Sequence, residues 1–171
     1  VYGDLSDASN LEAGFSGAVR QIQQGEQNRT GGVDVTLRWK PVQEGLYKSF
    51  IWRTEALFTD RKLGDAVDPL TGPVADPARR INRKGVYFYA EFQPARQWRL
   101  GVRGDYLEEP AIRTYRSITR SASPYITFTS SEFSRIRLQY QNIKEWNKKE
   151  TEHVGYLQWT VVLGPHGAHP F

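Results

Sequence analysis

The chain contains no cysteine and no methionine, and it has no long apolar run. Without cysteine, neither a disulfide framework nor a thiolate metal site can form. No segment approaches the roughly 20 apolar residues that a membrane-spanning helix requires, so we expect no helical membrane spans. The chain also starts at Val1 without the charged and then apolar leader of a signal peptide, which predicts a processed or truncated chain.

Aromatic residues, in contrast, are abundant and make up 13% of the chain. That share is high for a soluble domain and typical of membrane β-barrels, in which aromatic rings form two interfacial girdles. The length of 171 residues suits one domain, so residues 1–171 are predicted to form a single domain. The net charge of +4 is modest and suits an anionic lipid or solute as well as an ordinary solvated surface.

Eight segments alternate apolar and polar residues with the period of two that puts successive side chains on opposite faces of a sheet. Pro124 weakens the sixth of them, because proline removes one ladder donor and usually lies at strand edges or ends. Phe133 is out of phase in the seventh and is assigned to the preceding turn. The eight predicted strands are 11–20, 33–40, 48–61, 86–93, 98–106, 122–129, 133–141 and 156–163.

The connectors between these strands are alternately long and short, and the longest, 63–84, contains three prolines that predict no regular element within it. This order predicts an all-β fold, an antiparallel up-and-down transmembrane β-barrel of eight strands, with long outer loops and short periplasmic turns. A soluble up-and-down barrel such as a lipocalin is the alternative. The membrane is favoured because the apolar faces are rich in Trp and Phe while the opposite faces combine Arg with Glu.

A family resemblance is carried by segments 4–12, 14–17, 33–41 and 47–55, and more specifically by SSEFSRIRLQY at 130–140 and LGPHGAHPF at 163–171. These segments resemble bacterial outer-membrane porin-like β-barrel proteins, described as porins or outer-membrane receptors, and span nearly the whole chain. The resemblance implies that residues 1–171 are the C-terminal part of a larger barrel, or eight strands that stand alone. Phe171 resembles the terminal aromatic signal read by the barrel-assembly machinery, which implies that machinery as a partner during biogenesis.

The polar faces of the predicted strands supply the candidate site. Charges lining a pore would attract counter-ions and give a water-filled path a positive bias. Alternatively, interlocking ion pairs would fill a narrow interior, which eight strands alone favour, whereas additional strands would widen it and favour a pore. The side chains predicted to line this pore or plug are Glu12, Arg20, Asp34, Arg38, Lys40, Arg53, Glu55, Glu91, Arg99, Arg103, Asp105, Arg135 and Arg137.

Other chemistry has weaker support in the sequence. His166 and His169 could share a metal, but a zinc site needs three or four ligands, so no metal or other cofactor is predicted. Some small outer-membrane barrels modify lipids, yet no spacing marks a catalytic group, and no enzyme is predicted. The residues that would supply such chemistry are Ser117, Ser121, Ser123, Glu152 and His153.

The longest connector ends in a basic cluster that could contact lipopolysaccharide phosphates, although a solvated loop end explains it equally well: Arg79, Arg80, Arg83 and Lys84. No nucleic-acid motif is present. The sequence therefore predicts an outer-membrane porin-like β-barrel for passive passage of small solutes or ions, surrounded by outer-membrane lipid and lipopolysaccharide. The alternative is a closed structural or adhesive barrel whose long loops bind a partner.

Overall fold

The computed structural model describes residues 1–21, 26–44, 47–63, 66–67, 74–76, 79–110, 117–146 and 148–162. These ranges hold eleven β-strands and no helix. Within them, accordingly, no helix is long and apolar enough to cross a membrane.

Nine of the strands form one antiparallel sheet in which each strand pairs with its neighbours along the chain, so the prediction of an all-β, antiparallel up-and-down fold is confirmed. A separate two-stranded hairpin, β5 (Ala66–Val67) and β6 (Val74–Asp76), lies in the connection between β4 and β7. The strands of the sheet are β1 (Tyr2–Ser6), β2 (Ser9–Gln21), β3 (Gln27–Trp39), β4 (Ser49–Leu63), β7 (Arg79–Ala95), β8 (Trp98–Glu109), β9 (Ser117–Ser131), β10 (Ser134–Glu145) and β11 (Thr151–Val161).

The predicted number of eight strands is wrong. β1 was missed because its sequence, YGDLS, does not alternate apolar and polar residues, and it joins the sheet through backbone pairing with β2. The hairpin β5–β6 contradicts the prediction that the longest connector holds no regular element. Neither of the two short strands contains a proline, so the pairs Ala66–Asp76 and Val67–Val74 lack no backbone N–H.

The predicted closure into a barrel is also wrong for this chain. Among the residues that the structure describes, no pairing joins β1 to β11, so the sheet is open and has two edges. Alternation reports which face a side chain occupies, and it carries no information on whether the first and last strands meet. A closed sheet requires a consistent strand number and stagger, neither of which the alternation contains.

Several strands extend beyond the predicted boundaries into polar sequence. β3 begins at Gln27, and the cluster Arg79, Arg80, Arg83 and Lys84 lies within β7 instead of ending a loop. Unbroken pairing accounts for both, because Lys62 of β4 lies opposite Gln27 on one side and Arg80 on the other. The connection 22–26 is consequently shorter than 40–48, so long and short connections alternate only from β4 onward.

Pro124 lies inside β9, which is flanked by β8 and β10. The ladder between β9 and β10 passes from the pair Tyr125–Gln139 to the pair Ala122–Asn142. Pairing is thus interrupted where proline has no N–H to donate, which explains how a central strand tolerates it. Phe133 lies in the turn between β9 and β10, as its phase predicted.

Polar and apolar side chains are distributed over the two faces of the sheet in the opposite way to a water-soluble domain, which buries its apolar side chains. No hydrophobic side chain in the described part of the chain is buried, and Phe15, Leu157 and Trp159 are 88%, 77% and 71% exposed. The face that carries these side chains is called the apolar face. Thr36 and Thr127, each 1% exposed, lie on the opposite, polar face.

The two ends of the sheet are also distinct. The distal end is the end at which β2 connects to β3, β4 to β7, β8 to β9 and β10 to β11. The proximal end is the end at which β1 connects to β2, β3 to β4, β7 to β8 and β9 to β10. Every position on a strand can thus be described by its face and its end.

Candidate functional site

The polar face contains a groove of about 850 Å³ that extends from β4 to β10. Every second residue of each strand points into it, so charged and aromatic side chains from neighbouring strands meet across the sheet. The charged and phenolic side chains that line it include Glu55, Tyr87, Glu91, Arg103, Asp105 and Tyr125. Where such groups are shielded from bulk water, charged side chains and phenols form hydrogen bonds with one another.

Glu91 of β7 is the centre of the first cluster in the groove, and its side chain is 20% exposed. The hydroxyl of Tyr125 donates a hydrogen bond to Glu91 Oε2 at 2.9 Å. Arg99 Nε and Arg137 Nη2 lie 3.8 and 3.7 Å from the two carboxylate oxygens. The Arg137 guanidinium also lies 4.2 Å from the centre of the Tyr125 ring and donates from Nε to the buried Thr127 hydroxyl at 2.9 Å. Two cations therefore share one carboxylate.

A second cluster lies further toward the distal end. Tyr87 donates to Glu55 Oε2 at 2.8 Å, and the Arg103 guanidinium lies 4.9 Å from the centre of the Tyr87 ring. Arg103 donates from Nε and Nη2 to Asp105 Oδ1 at 2.8 and 2.7 Å. Ser121 of β9 donates to the other oxygen of Asp105 at 2.9 Å. Hydrogen bonds thus run continuously from β8 to β9 in this part of the groove.

A third set of contacts connects β2, β3 and β4. Arg38 Nη1 donates to Glu12 Oε2 at 2.8 Å, with the two side chains 37% and 47% exposed. Arg53 donates from Nε to the hydroxyl of the buried Thr36 at 2.9 Å. Because the Arg38–Glu12 pair is well exposed, it contributes less to stability than the partly buried contacts around Glu91.

The predicted lining residues occupy alternate strand positions, but only some of them are in contact. Arg20 lies near the distal end of β2, and Arg135 lies near the proximal end of β10, so the sheet keeps these two apart. Lys40 follows the last residue of β3 and is exposed. The side-chain contacts instead concentrate on Glu91, on Asp105 and on the Arg38–Glu12 pair.

Sequence reasoning did not select the phenols and hydroxyls that hold these charges. Tyr87, Tyr125, Thr36 and Thr127 each bond to, or stack on, a predicted arginine or glutamate. Their positions in the alternation could have identified them. They occupy the polar positions of the alternation, where an aromatic or hydroxyl side chain needs a hydrogen-bond partner.

The structure does not assemble the residues named for metal or catalytic chemistry. In the described ranges, no group of three or more His, Asp or Glu side chains could hold a metal ion. His166 and His169 lie outside those ranges. His153 Nδ1 is 2.5 Å from the Tyr140 hydroxyl on the apolar face, whereas Ser121 bonds to Asp105 on the polar face.

Comparison of the chain with family models, curated proteins and solved structures finds no match in any of the three. The resemblance to porin-like proteins therefore stays a prediction. The features of the molecule that bear on function are the apolar and polar faces of the sheet and the groove on the polar face.

Proposed function

We propose that this sheet is part of the wall of an outer-membrane β-barrel through which small solutes or ions pass passively. The observation that carries the proposal is the reversed distribution of side chains, with apolar groups exposed on one face and polar groups buried on the other. In water, exposed apolar area is unfavourable by about 25 cal/mol per Å². A hydrocarbon surrounding the apolar face removes that penalty, and outer-membrane barrels have this apolar-out, polar-in arrangement.

The apolar face forms a band across the sheet, which supports contact with lipid. One row of paired residues runs across the four strands β3, β4, β7 and β8: Leu37, Trp52, Ala90 and Val102. The next row toward the proximal end contains Trp39, Phe50 and Phe92, which lie side by side. Aromatic side chains at one border of an apolar band are typical of the interfacial girdle of a membrane barrel.

The two open edges require further strands in this proposal. Unpaired backbone N–H and C=O groups in hydrocarbon cost several kcal/mol each. Strands from a longer chain or from other copies would have to cover β1 and β11. A barrel with more than nine strands also has a wider interior, and this favours a passage over a filled core.

The charges of the polar face would then line that passage. Around Glu91, two guanidinium groups face one carboxylate, so the local net charge is positive. Fixed charges of this kind attract counter-ions and bias passage toward anions. The hydrogen bond that Tyr125 donates to Glu91 and the one that Thr127 accepts from Arg137 hold the charged groups in place.

A second candidate function is a closed structural or adhesive barrel whose distal connections bind a partner. The observation that favours it is the cross-bracing of the polar face, since Arg103, Asp105 and Ser121 bond to one another as side chains in a filled interior would. In that arrangement the same clusters would block passage instead of guiding it.

Single-channel conductance in a planar bilayer separates the two candidates. We expect discrete current steps at high salt from the chain assembled with its missing strands, and none from heat-denatured protein in the same bilayer. Mass spectrometry or the gene sequence would identify any segment that precedes Val1, so that any longer chain can be recorded beside this one. Absence of current from both would contradict the passage and support the structural or adhesive barrel.

A further inference from the structure

The apolar face has a positively charged border at its distal end. Arg29 of β3, Lys62 of β4, and Arg80 and Lys84 of β7 are all exposed on this face. Lys62 lies directly opposite Arg80, and Lys84 lies opposite Phe58. At the proximal end of the same three strands the face carries aromatic side chains instead, so the two borders of the apolar band differ in chemistry.

One carboxylate lies among these cations and is already engaged. Asp60 of β4 lies opposite Arg29 and forms an ion pair with Arg80 that uses both carboxylate oxygens. With Arg80 neutralised in this way, Arg29, Lys62 and Lys84 give the border a surplus of positive charge.

A trough leads from this border into the apolar band. Gly17 and Gly31 pair with each other across β2 and β3, and Phe58 is the next residue in the same row. A Cβ added at Gly31 would meet nothing within 4 Å, and one at Gly17 would meet only the Thr30 carbonyl oxygen at 3.8 Å, so both glycines leave space above the sheet. The resulting groove has a volume of about 480 Å³, and Arg29 and Lys84 line it together with Phe58.

We propose that this trough is a binding site for an anionic phospholipid. The phosphate lies between Arg29 and Lys84, and one acyl chain lies over Gly17, Gly31 and Phe58. Guanidinium and ammonium groups complement the phosphate charge, and a positively charged segment beside a membrane attracts anionic lipid. The inference rests on the proposed function, because it assumes that the apolar face meets a bilayer.

The shape of the site favours a lipid over a free phosphate ion. A free ion would use only the cations and would leave the trough empty. The next row of paired residues toward the proximal end contains Val33 and Phe15, which are 52% and 88% exposed on the same face, so an acyl chain that leaves the trough meets further apolar surface. The aromatic proximal border lacks this combination, which predicts that the lipid is bound at the distal end.

Lipid binding can be measured on the full chain in neutral detergent micelles, by native mass spectrometry during titration with phosphatidylglycerol. The double variant Arg29→Gln, Lys84→Gln removes two charges from the site. The matched control, Lys48→Gln with Arg96→Gln, removes two charges from the proximal turns. Because each basic residue near an anionic lipid surface contributes on the order of 1 kcal/mol, we expect affinity about 30-fold weaker in the first variant. The control should bind like the parent chain.

The variant Gly31→Leu distinguishes a lipid from a free ion. It fills the trough and keeps every charge, so it should weaken phosphatidylglycerol binding and leave any binding of inorganic phosphate unchanged. A far-UV circular dichroism spectrum shows whether the variant folds. If it does not fold, competition of inorganic phosphate with phosphatidylglycerol on the parent chain distinguishes a lipid from a free ion.

Three results would overturn the lipid site. They are equal affinity of the site and control double variants, unchanged binding in folded Gly31→Leu, and displacement of the lipid by inorganic phosphate at equal concentration. Because micelle binding requires no current, failure of this site is distinguishable from failure of the proposed passage.

Discussion

The ring of Tyr125 lies over Gly101, the residue directly opposite it across the β8–β9 pair. A Cβ added at Gly101 would come closer than 3.0 Å to atoms of that ring. The absent side chain is what lets the Tyr125 hydroxyl cross β8 and reach Glu91 on β7 at 2.9 Å. An aromatic ring covering a glycine on a neighbouring strand also fixes the register of the two strands.

Gly101→Ala should therefore destabilise the sheet. The added methyl group displaces the Tyr125 ring, breaks its bond to Glu91 and disturbs its stacking on Arg137. Overpacking of this kind costs about 1–3 kcal/mol. We expect that loss in the free energy of unfolding, measured by denaturant titration in micelles. Gly155→Ala is the control, since a Cβ there would meet nothing within 4 Å, and equal stability of the two variants would contradict the argument.

Leu138→Arg tests whether the apolar face meets lipid. Leu138 is 57% exposed on that face, and the next residue, Gln139, points to the groove on the polar face. An arginine facing lipid near the middle of the bilayer costs about 2–4 kcal/mol. We expect Leu138→Arg to reduce folding into vesicles, and Gln139→Arg to be tolerated. Folding yields that do not depend on the face would indicate that this face is in water.

Arg137→Gln should lower any preference of the passage for anions. The change removes one of the two guanidinium groups beside Glu91 and leaves the Arg99 contact in place. We expect the reversal potential in a potassium chloride gradient to move toward the equilibrium potential of potassium. Arg96→Gln removes the same charge from an exposed turn and should leave the potential unchanged. An identical shift in both variants would show that Arg137 has no special position in the passage.

The open edge predicts uneven amide exchange. β11 pairs with β10 on one side, whereas β9 is flanked by two strands. Amides without a ladder partner exchange quickly, because no hydrogen bond has to open first. Exchange mass spectrometry of the chain should therefore show faster deuterium uptake in 151–161 than in 117–131. Equal protection would mean that another strand covers β11, and in a completed barrel we expect that result.

The alternation of apolar and polar residues predicted most strands of the sheet, but it missed the first strand and the polar ends of others. It located β8 at its first residue, Trp98, because apolar and polar side chains strictly alternate there. It failed for β1, which is held by backbone bonds to β2 and has no apolar face of its own. It also stopped short of Gln27 and Arg80, since strands continue into polar sequence wherever a partner strand continues beside them.

For the candidate site, the sequence predicts which side chains share a face but not which of them are in contact. That Glu91 and Arg137 share a face follows from the parity of their positions within β7 and β10. That they are 3.7 Å apart depends on the register of every strand between them, and register comes from turn geometry and packing. Tyr125 could not be selected in advance, because its role depends on the missing side chain of Gly101 on the neighbouring strand.

The count of nine sheet strands among the described residues limits how the sheet can be completed. Neighbouring strands run in opposite directions, so the first and the ninth, β1 and β11, run in the same direction. If these two edges paired with each other, the ladder would be parallel, which an up-and-down antiparallel barrel does not contain. Antiparallel closure therefore needs an odd number of additional strands between β11 and β1, and a single added strand would already give an even total.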